Sequence, residues 1–420
     1  MVPRLLAFAL LSSLSVAPMA TSRARTKSGG GAALVTTTSS TTSTEASTEP
    51  AVDISLGSIT WQGDRATAVD SLGRRHALTL ERQLQQAATH LLRVAKPSSG
   101  AVVVLSATDS RILALSETPN EVSRADSLIW SANTPSASLF KLVTTAALIE
   151  HAQLQPSHRV CSEGGEHRLE QRHLGAPRGG RVVCGEFSEI LGVSRNAAYA
   201  RLVHSHLSGD DLANFADRFG FNSPLPGDVS AELGRFRSTN DPVRLVRTAT
   251  GFVGSSLSAL GAAYLGLIIA RGGVAPRLHL IADDLEPSVT TAPALALANA
   301  GAASAEPARP WHVISSTTAG RVRDMMEKVI SHGTAADAFR DESGHRLLPQ
   351  LRVAGKTGTL GRDEHVASWF VGFAPSRDPK VVVAVLLDNG PIWQTTAKRV
   401  ASSLLRTYFE PPLAAQLAAR

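Results

Sequence analysis

Hydrophobic and polar positions divide the chain into an apolar leader, a polar stretch and a long patterned region. Arg4 precedes an apolar run from Leu5 to Ala20. That run is short for a spanning helix and suits a signal-peptide core or an uncleaved anchor. In the stretch that follows, Thr36–Pro50 (TTTSSTTSTEASTEP) has too few apolar residues to build a core, so a flexible linker is expected over residues 21–77. Patterned order begins near Leu78. Within Leu78–Leu92, Leu84, Ala87, Ala88 and Leu91 recur at helical spacing. Ala101–Leu105 and Arg111–Ser116 are apolar, β-rich runs around a polar turn at Thr108–Ser110, which reads as a hairpin.

From Leu139 to about Met326 the pattern is mostly helical. Phe140, Val143 and Ala147 mark one helix, and Ala197–Leu207, Leu212–Phe219, Pro242–Arg247 and Leu257–Ala270 are further candidates. Residues 286–310 are rich in Ala and Pro and read as a loop or a loosely packed helix. Ser316–Ile330 reads as a helix capped by Ser316 or Thr317. Strands return in Leu351–Leu360, His365–Pro375 and Lys380–Asn389, before a helix at Gln394–Leu405. Strands at both ends with helices between them imply a non-local antiparallel sheet, the first hairpin pairing with the last three strands. The expected fold class is α+β: a five-stranded antiparallel sheet flanked by helices, with an inserted all-helical subdomain. The expected division is leader 1–20, linker 21–77, folded domain 78–410 and tail 411–420.

Composition narrows the class. The 420 residues are 43% hydrophobic and 19% charged, ordinary for a globular enzyme. A formal charge of +6 invites a nucleic-acid reading. The basic residues, however, are mostly Arg scattered among Asp and Glu, with few aromatics beside them, so no nucleic-acid partner is expected. A diffuse positive field fits an anionic surface better, a membrane or a cell-wall polymer. No Cys lies near the leader, which excludes a lipoprotein anchor. Contact with the membrane is expected only through the leader. In an exported chain the two cysteines, Cys161 and Cys184, suggest a disulfide. Two free thiols, or a Cys/His zinc site with His158, His167 and His173, remain as alternatives; the spacing matches no standard finger, and no metal or cofactor is expected.

Three motifs carry the chemistry. Ser138-Leu139-Phe140-Lys141 opens an apolar helix, and positions i and i+3 share a helix face. A serine hydroxyl needs a base to become a nucleophile, and a lysine serves only if burial or another cation depresses its pKa. Standing alone, the pair reads better as a helix cap and a surface lysine. No other lysine in the chain has a serine three residues before it. Ser-x-Asn occurs three times, at Ser131–Asn133, Ser194–Asn196 and Ser238–Asn240. Ser194–Asn196 lies on a short connection between two helical segments. There the Ser194 hydroxyl could relay a proton and Asn196 could bind a substrate amide. Lys356-Thr357-Gly358-Thr359 lies on an expected strand. Lys356 is a second cation, Thr357 and Thr359 offer hydroxyls to a carboxylate, and Gly358 allows close approach to the backbone. The N–H groups of Ser138 and Thr359 could form an oxyanion hole. The preceding Gly spacing of a P-loop is missing.

The order Ser-x-x-Lys, Ser-x-Asn, Lys-Thr-Gly resembles that of the penicillin-binding protein transpeptidase domain, over roughly Leu78 to Phe409. GAVVVLSATDSRILALS is similar to that family's first hairpin. ATGFVGSSLSALGAAYLGLIIARGGVAPRL is similar to the helix after its Ser-x-Asn motif, and ASWFVGFAPSRDPKVVVAVLLDN to its closing strands. The resemblance implies attack by Ser138 on the D-Ala-D-Ala carbonyl of peptidoglycan stem peptides, with an amine or water as acceptor. It also implies acylation by β-lactam antibiotics and work outside the cytoplasm, in the periplasm or on the outer face of the membrane. Where the family often has Pro-Gly before the nucleophile, this chain has Ser136-Ala137. A nearly bare catalytic domain on a tether is expected. A β-lactamase would need a deacylating carboxylate, but Glu232 stands in Glu-Leu-Gly-Arg-Phe, not in Glu-x-x-Leu-Asn. A non-catalytic β-lactam sensor would need a cytoplasmic signalling domain, which is not expected here, and a cell-wall-binding scaffold should have lost a motif residue, and none is lost.

Overall fold

The computed structural model describes residues 51–119, 122–166, 168–282, 311–362, 364–390 and 393–410. The leader, residues 21–50, the 286–310 segment, His167 and the 411–420 tail lie outside the described residues.

The expected linker is ordered from Ala51 onward. Strands β1 (Thr60–Gln62), β2 (Arg65–Val69) and β3 (Arg75–Leu78) form a small antiparallel sheet. Its buried positions are Ala66, Ala68, Ala77 and, at the end of β3, Leu78. Alanine gives a faint alternation, which is why the stretch read as linker. Buried Asp70 organises the β2–β3 turn by accepting from the N–H groups of Leu72 and Arg74. Helix α1 (Arg82–Ala95) starts later than expected, because Leu78 is still in β3 and Thr79 N–H bonds Leu280 O. It buries Leu84, Ala88, Leu92 and Ala95.

Strands β4 (Ser99–Ser106) and β5 (Ile112–Thr118) form the first hairpin. A short β6 (Thr134–Pro135) leads to a 3₁₀ turn at Ala137–Phe140 and α2 (Lys141–Glu150). The next segment is not all helical. β7 (Arg159–Glu163) and β8 (Val182–Glu186) form a hairpin that places Cys161 opposite Cys184, and the two are joined as a disulfide. Both thiols are thereby consumed, which removes the zinc and free-thiol alternatives. His173 bonds Glu170 N–H, and His158 meets His206 edge-on.

Helices α3 (Phe187–Gly192), α4 (Asn196–His206) and α5 (Gly209–Arg218) follow. Then come β9 (Gly234–Phe236), α6 (Pro242–Ala249), β10 (Ser255–Leu257) and α7 (Ala259–Ala270). β11 (Val274–Ala275) pairs with β12 (Trp311–His312). Helix α8 (Ser316–Ser331) is capped by Ser315, one residue before the expected cap; its hydroxyl accepts from Thr318 N–H. β13 (Ala354–Arg362), β14 (His365–Ala374), β15 (Val381–Asn389) and α9 (Ala397–Phe409) complete the domain.

The central sheet has the order β13-β14-β15-β4-β5, antiparallel throughout, as expected from the two separated sets of strands. Both faces are covered, so its strands read as continuous apolar runs. Val102, Val104, Val383 and Val385 share a core with α1 and α9. Ala101, Val103, Val382 and Ala384 point the other way, into the core built on α2 and α7. The period-two alternation of one strand thus feeds two cores. It also leaves β13 as an edge, facing the helical half of the domain.

The disulfide closes a sequence separation of 23 residues. By loop-closure entropy the Cys161→Ser/Cys184→Ser variant should lose about 3 kcal/mol of stability. Urea unfolding of oxidised protein against this variant measures it, and coincident curves would reject a structural role for the bridge.

Candidate active site

The site forms where β13 meets the start of α2. The turn before α2 is held from three sides. Ser136 N–H bonds Ser255 O on β10, its hydroxyl lies 2.6 Å from Ser255 Oγ, and Trp369 Nε1 donates to Pro135 O. Ala137 adopts φ +46°, a left-handed conformation that costs a residue with a Cβ about 1–2 kcal/mol. This is the position where Ala replaces the resembled family's glycine. Gly251 stands directly behind it at φ +82°; a Cβ there would lie 1.7 Å from Ala137 O. Ser138 follows, half-buried at the edge of a cleft of about 1110 Å³. Among the described residues its hydroxyl makes no hydrogen bond.

Lys141, one turn on, is fully buried, which rules out the surface-lysine reading. Its amine donates to Ser194 O at 2.8 Å and to Asn196 Oδ1 at 2.5 Å, and lies 3.0 Å from Ser194 Oγ. The bonds of Lys141 therefore go to the α3–α4 connection, not to Ser138. Ser194 itself is left-handed at φ +56°, which turns its side chain inward. Lys356 on β13 is also fully buried; its amine lies 2.9 Å from Ser194 Oγ and donates to Thr357 O at 2.7 Å. One hydroxyl thus sits between two lysine amines.

Burial, and then the charge of Lys356, push the Lys141 amine well below its ordinary range. Burial lowers Lys356 to about 7. Two ammonium groups cannot both stay charged so close together without water. Both shifts favour the neutral amine, and Lys141 is the amine that stands one helical turn from Ser138. The Ser194 hydroxyl can accept from one amine and donate to the other, which is the geometry of a proton relay.

The other Ser-x-Asn copies are spent on loops. Ser131 donates to Arg124 O, Asn133 to Ala125 O, and Ser238 to Gly209 O. Gly358 lies under the turn that carries Ser138; a Cβ there would come within 3.2 Å of Ala137 Cβ and 3.4 Å of Ser138 N. Thr357 Oγ1 is 2.5 Å from Thr334 Oγ1, and Thr357 and Thr359 both line the cleft. Ser138, Lys141, Ser194, Asn196, Lys356, Thr357, Gly358 and Thr359 are therefore gathered at one place. Glu232 is not among the cleft's lining residues; its carboxylate accepts from Ala132 N–H and Arg235.

A match to the penicillin binding protein transpeptidase domain covers residues 100–410. The chain belongs to this family. The chain is 27% identical over 364 residues to the peptidoglycan D,D-transpeptidase PbpA of Mycobacterium tuberculosis, spanning 78% of this chain and 70% of that protein. Stage V sporulation protein D of Bacillus subtilis is 25% identical over 271 residues, 62% of this chain and 39% of that one. The fold is shared with the D,D-transpeptidase domain of a peptidoglycan glycosyltransferase from Eggerthella lenta, with a TM-score of 0.61, 22% identity and 83% and 95% of the two chains covered. It is also shared with penicillin-binding protein A from M. tuberculosis in an imipenem acyl-enzyme complex, with a TM-score of 0.59, 23% identity and 79% of each chain covered.

Sequence reading missed several neighbours of the transpeptidase site. Tyr199 is buried, its ring 5.1 Å from the Lys141 amine and its hydroxyl 2.6 Å from Thr145 Oγ1. The available signal was spacing: Tyr199 is three residues past Asn196 and Thr145 four past Lys141, each on the same helix face as its partner. Gly251, Thr334 and Trp369 carried no comparable signal, because only the fold brings them to Ala137, Thr357 and Pro135.

Two expectations follow. Gly251→Ala should displace the Ala137 carbonyl and slow acylation by fluorescent penicillin on the order of 100-fold; labelling at the parental rate would show that the turn is not held from behind. The second concerns pH. The folded pKa of Lys356, about 7, lies below its unfolded value, so the unfolded state binds more protons between about pH 7 and about pH 10. Stability from this group is full above that window and is lost as the pH falls through it. Between pH 7 and 9 the parent should gain about 2 kcal/mol relative to Lys356→Met. Parallel pH–stability curves would show that Lys356 titrates normally.

Proposed function

We propose that this chain is a peptidoglycan D,D-transpeptidase that works outside the cytoplasm through an acyl-enzyme on Ser138. The observation that carries the reading is the Ser194 hydroxyl held between the two buried amines, beside an unbonded Ser138 on an open cleft. Family membership supports the substrate class, and penicillin-binding protein A supports the covalent chemistry, since that protein forms an imipenem acyl-enzyme.

In the proposed reaction Ser138 Oγ attacks the carbonyl carbon of the penultimate D-Ala. An Oγ–C bond forms and the C–N bond to the terminal D-Ala breaks. The Ser138 proton passes to neutral Lys141 and then, over the Ser194 hydroxyl, to the leaving amine. The N–H groups of Ser138 and Thr359 take the developing oxyanion. Asn196 holds a donor amide, while Lys356, Thr357 and Thr359 take the terminal carboxylate. The free edge of β13 lets the donor backbone lie alongside it as a further strand. In the second half an acceptor amine attacks the ester: its N–C bond forms, the C–Oγ bond breaks and the proton returns to Ser138. Water in place of the amine gives carboxypeptidase activity. β-Lactams acylate Ser138 as substrate mimics. The apolar leader is assigned the role of export signal or membrane anchor; no helix among the described residues is long and apolar enough to cross a membrane.

Ser138→Ala should lose covalent labelling by fluorescent penicillin while keeping the parental unfolding midpoint. Persistent labelling would refute the nucleophile. A D-Ala-D-Ala pentapeptide incubated with and without an amine acceptor, followed by mass spectrometry, separates the outcomes. Release of D-Ala with an amide product is expected. Hydrolysis alone would make the chain a carboxypeptidase, and neither product would make it an inert receptor.

A further inference from the structure

In the proposed reaction the Ser194 hydroxyl must stay between the two amines, and it stands on the end of α3. That helix has six residues, too few to hold its own ends. The connection hangs from its last turn: Val193 N–H bonds Glu189 O at 2.9 Å, Ser194 N–H bonds Leu191 O at 3.1 Å and Arg195 N–H bonds Ile190 O at 3.0 Å. From behind, that turn is met by the end of α8. Glu189 Oε1 accepts from the Lys328 amine, which lies 2.9 Å from Ser188 Oγ. Glu189 Oε2 is 2.7 Å from His332 Nε2, just past the end of α8. One carboxylate thus takes two cationic partners from one helix end. The backbones close in beside it: Thr334 N–H bonds Gly192 O at 3.1 Å, and a Cβ on Gly333 would collide with Gly192 O. Thr334 Oγ1 in turn lies 2.5 Å from Thr357 Oγ1, on the residue after Lys356. The segment 332–334 therefore touches both the support of Ser194 and the strand of Lys356. Glu189, Lys328 and His332 are not among the residues lining the cleft.

We propose that Glu189 is a positioning residue: with Lys328 and His332 it clamps α3 to the end of α8 and so keeps the Ser194 hydroxyl between the Lys141 and Lys356 amines. This rests on the acyl-enzyme reading above. The side chains of Glu189, Lys328 and His332 are 38%, 29% and 51% exposed. Ion pairs that open to water add little to stability, so the clamp's effect is on geometry. The hydrogen bond from Lys328, and after it that from His332, holds the Glu189 carboxyl below its ordinary range. What the clamp protects is narrow. Ser194 Oγ is 3.0 Å from one amine and 2.9 Å from the other. A displacement of about 1 Å would break both contacts, and misplacement on that scale can cost a reaction about 100-fold.

The test is a double-mutant cycle on acylation of the full chain by benzylpenicillin, with the acylation rate measured apart from the dissociation constant of the complex that precedes it. Glu189→Ala should lower the acylation rate about tenfold and change the dissociation constant by less than about twofold. In Ser194→Ala, where the relaying hydroxyl is gone, the same substitution should cost less than about twofold. Glu189→Gln keeps an acceptor for Lys328 and should recover most of the rate. Should Glu189→Ala not fold, Lys328→Met and His332→Ala carry the same cycle with the same two outcomes. Losses that multiply in the double variant would overturn the clamp, since Glu189 would then act without Ser194. The parental rate in Glu189→Ala, or an effect confined to the dissociation constant, would overturn it too. Failure of the parent to form any acyl-enzyme, or the parental rate in Ser194→Ala, would instead overturn the function proposed above.

Discussion

Two amines buried side by side repel each other, and neither can shed its charge into solvent. In this domain that conflict is resolved around one hydroxyl. Ser194 Oγ is 3.0 Å from the Lys141 amine and 2.9 Å from the Lys356 amine. Fully charged, the pair would be expensive; with one proton removed, the hydroxyl accepts from the remaining ammonium and donates to the neutral amine. Burial in the fold thus favours a neutral amine at this place. Burial, and then the charge of its neighbour, push the Lys141 amine well below its ordinary range. Tyr199, with its ring face near the Lys141 amine, closes the floor against water.

Holding three groups from distant parts of the chain at such distances needs a rigid frame, and the sheet is that frame. β13 carries Lys356 and is pinned by a nine-residue register with β14, which is pinned in turn to β15 and β4. Lys141 rides on α2, all of whose residues from Lys141 to Ile149 are buried. Ser194 depends on α3 and α4 being joined by a connection short enough to force a left-handed residue. Each lysine is fixed by a different layer of the fold, and Ser194 is where the layers meet.

Legibility in the sequence followed side-chain size and sequence distance. The strands from Ala354 to Asn389 were readable because they are buried on both faces and therefore continuously apolar, and their non-local pairing followed from their position at the far end of the chain. β1–β3 were not readable, since their buried positions are alanines apart from Leu78 at the end of β3, and β7–β8 were not, since that hairpin is half exposed and polar. Among three Ser-x-Asn copies, Ser194–Asn196 could be selected by its place between helices. What Ser131 and Ser238 do, bonding Arg124 O and Gly209 O, depends on tertiary contacts. Side-chain chemistry was legible where the motifs were local. Gly251, Trp369 and Thr334 act on Ser138 or Thr357 across long separations, which local pattern does not carry.

The strain at Ala137 makes sense on the same terms. A left-handed residue with a Cβ persists only where its surroundings over-determine it. Here Ser255 bonds the residue before it, Trp369 bonds the one before that, and Gly251 leaves room for its carbonyl alone. The turn therefore cannot relax by rotating Ser138 toward Lys141, whose bonds are already taken by Ser194 and Asn196. The Ser194 hydroxyl is held between two amines, and the Ser138 hydroxyl makes no bond among the described residues. In the reaction proposed above, Ser138 meets an arriving carbonyl with no bond to give up, one helical turn from the buried Lys141 amine.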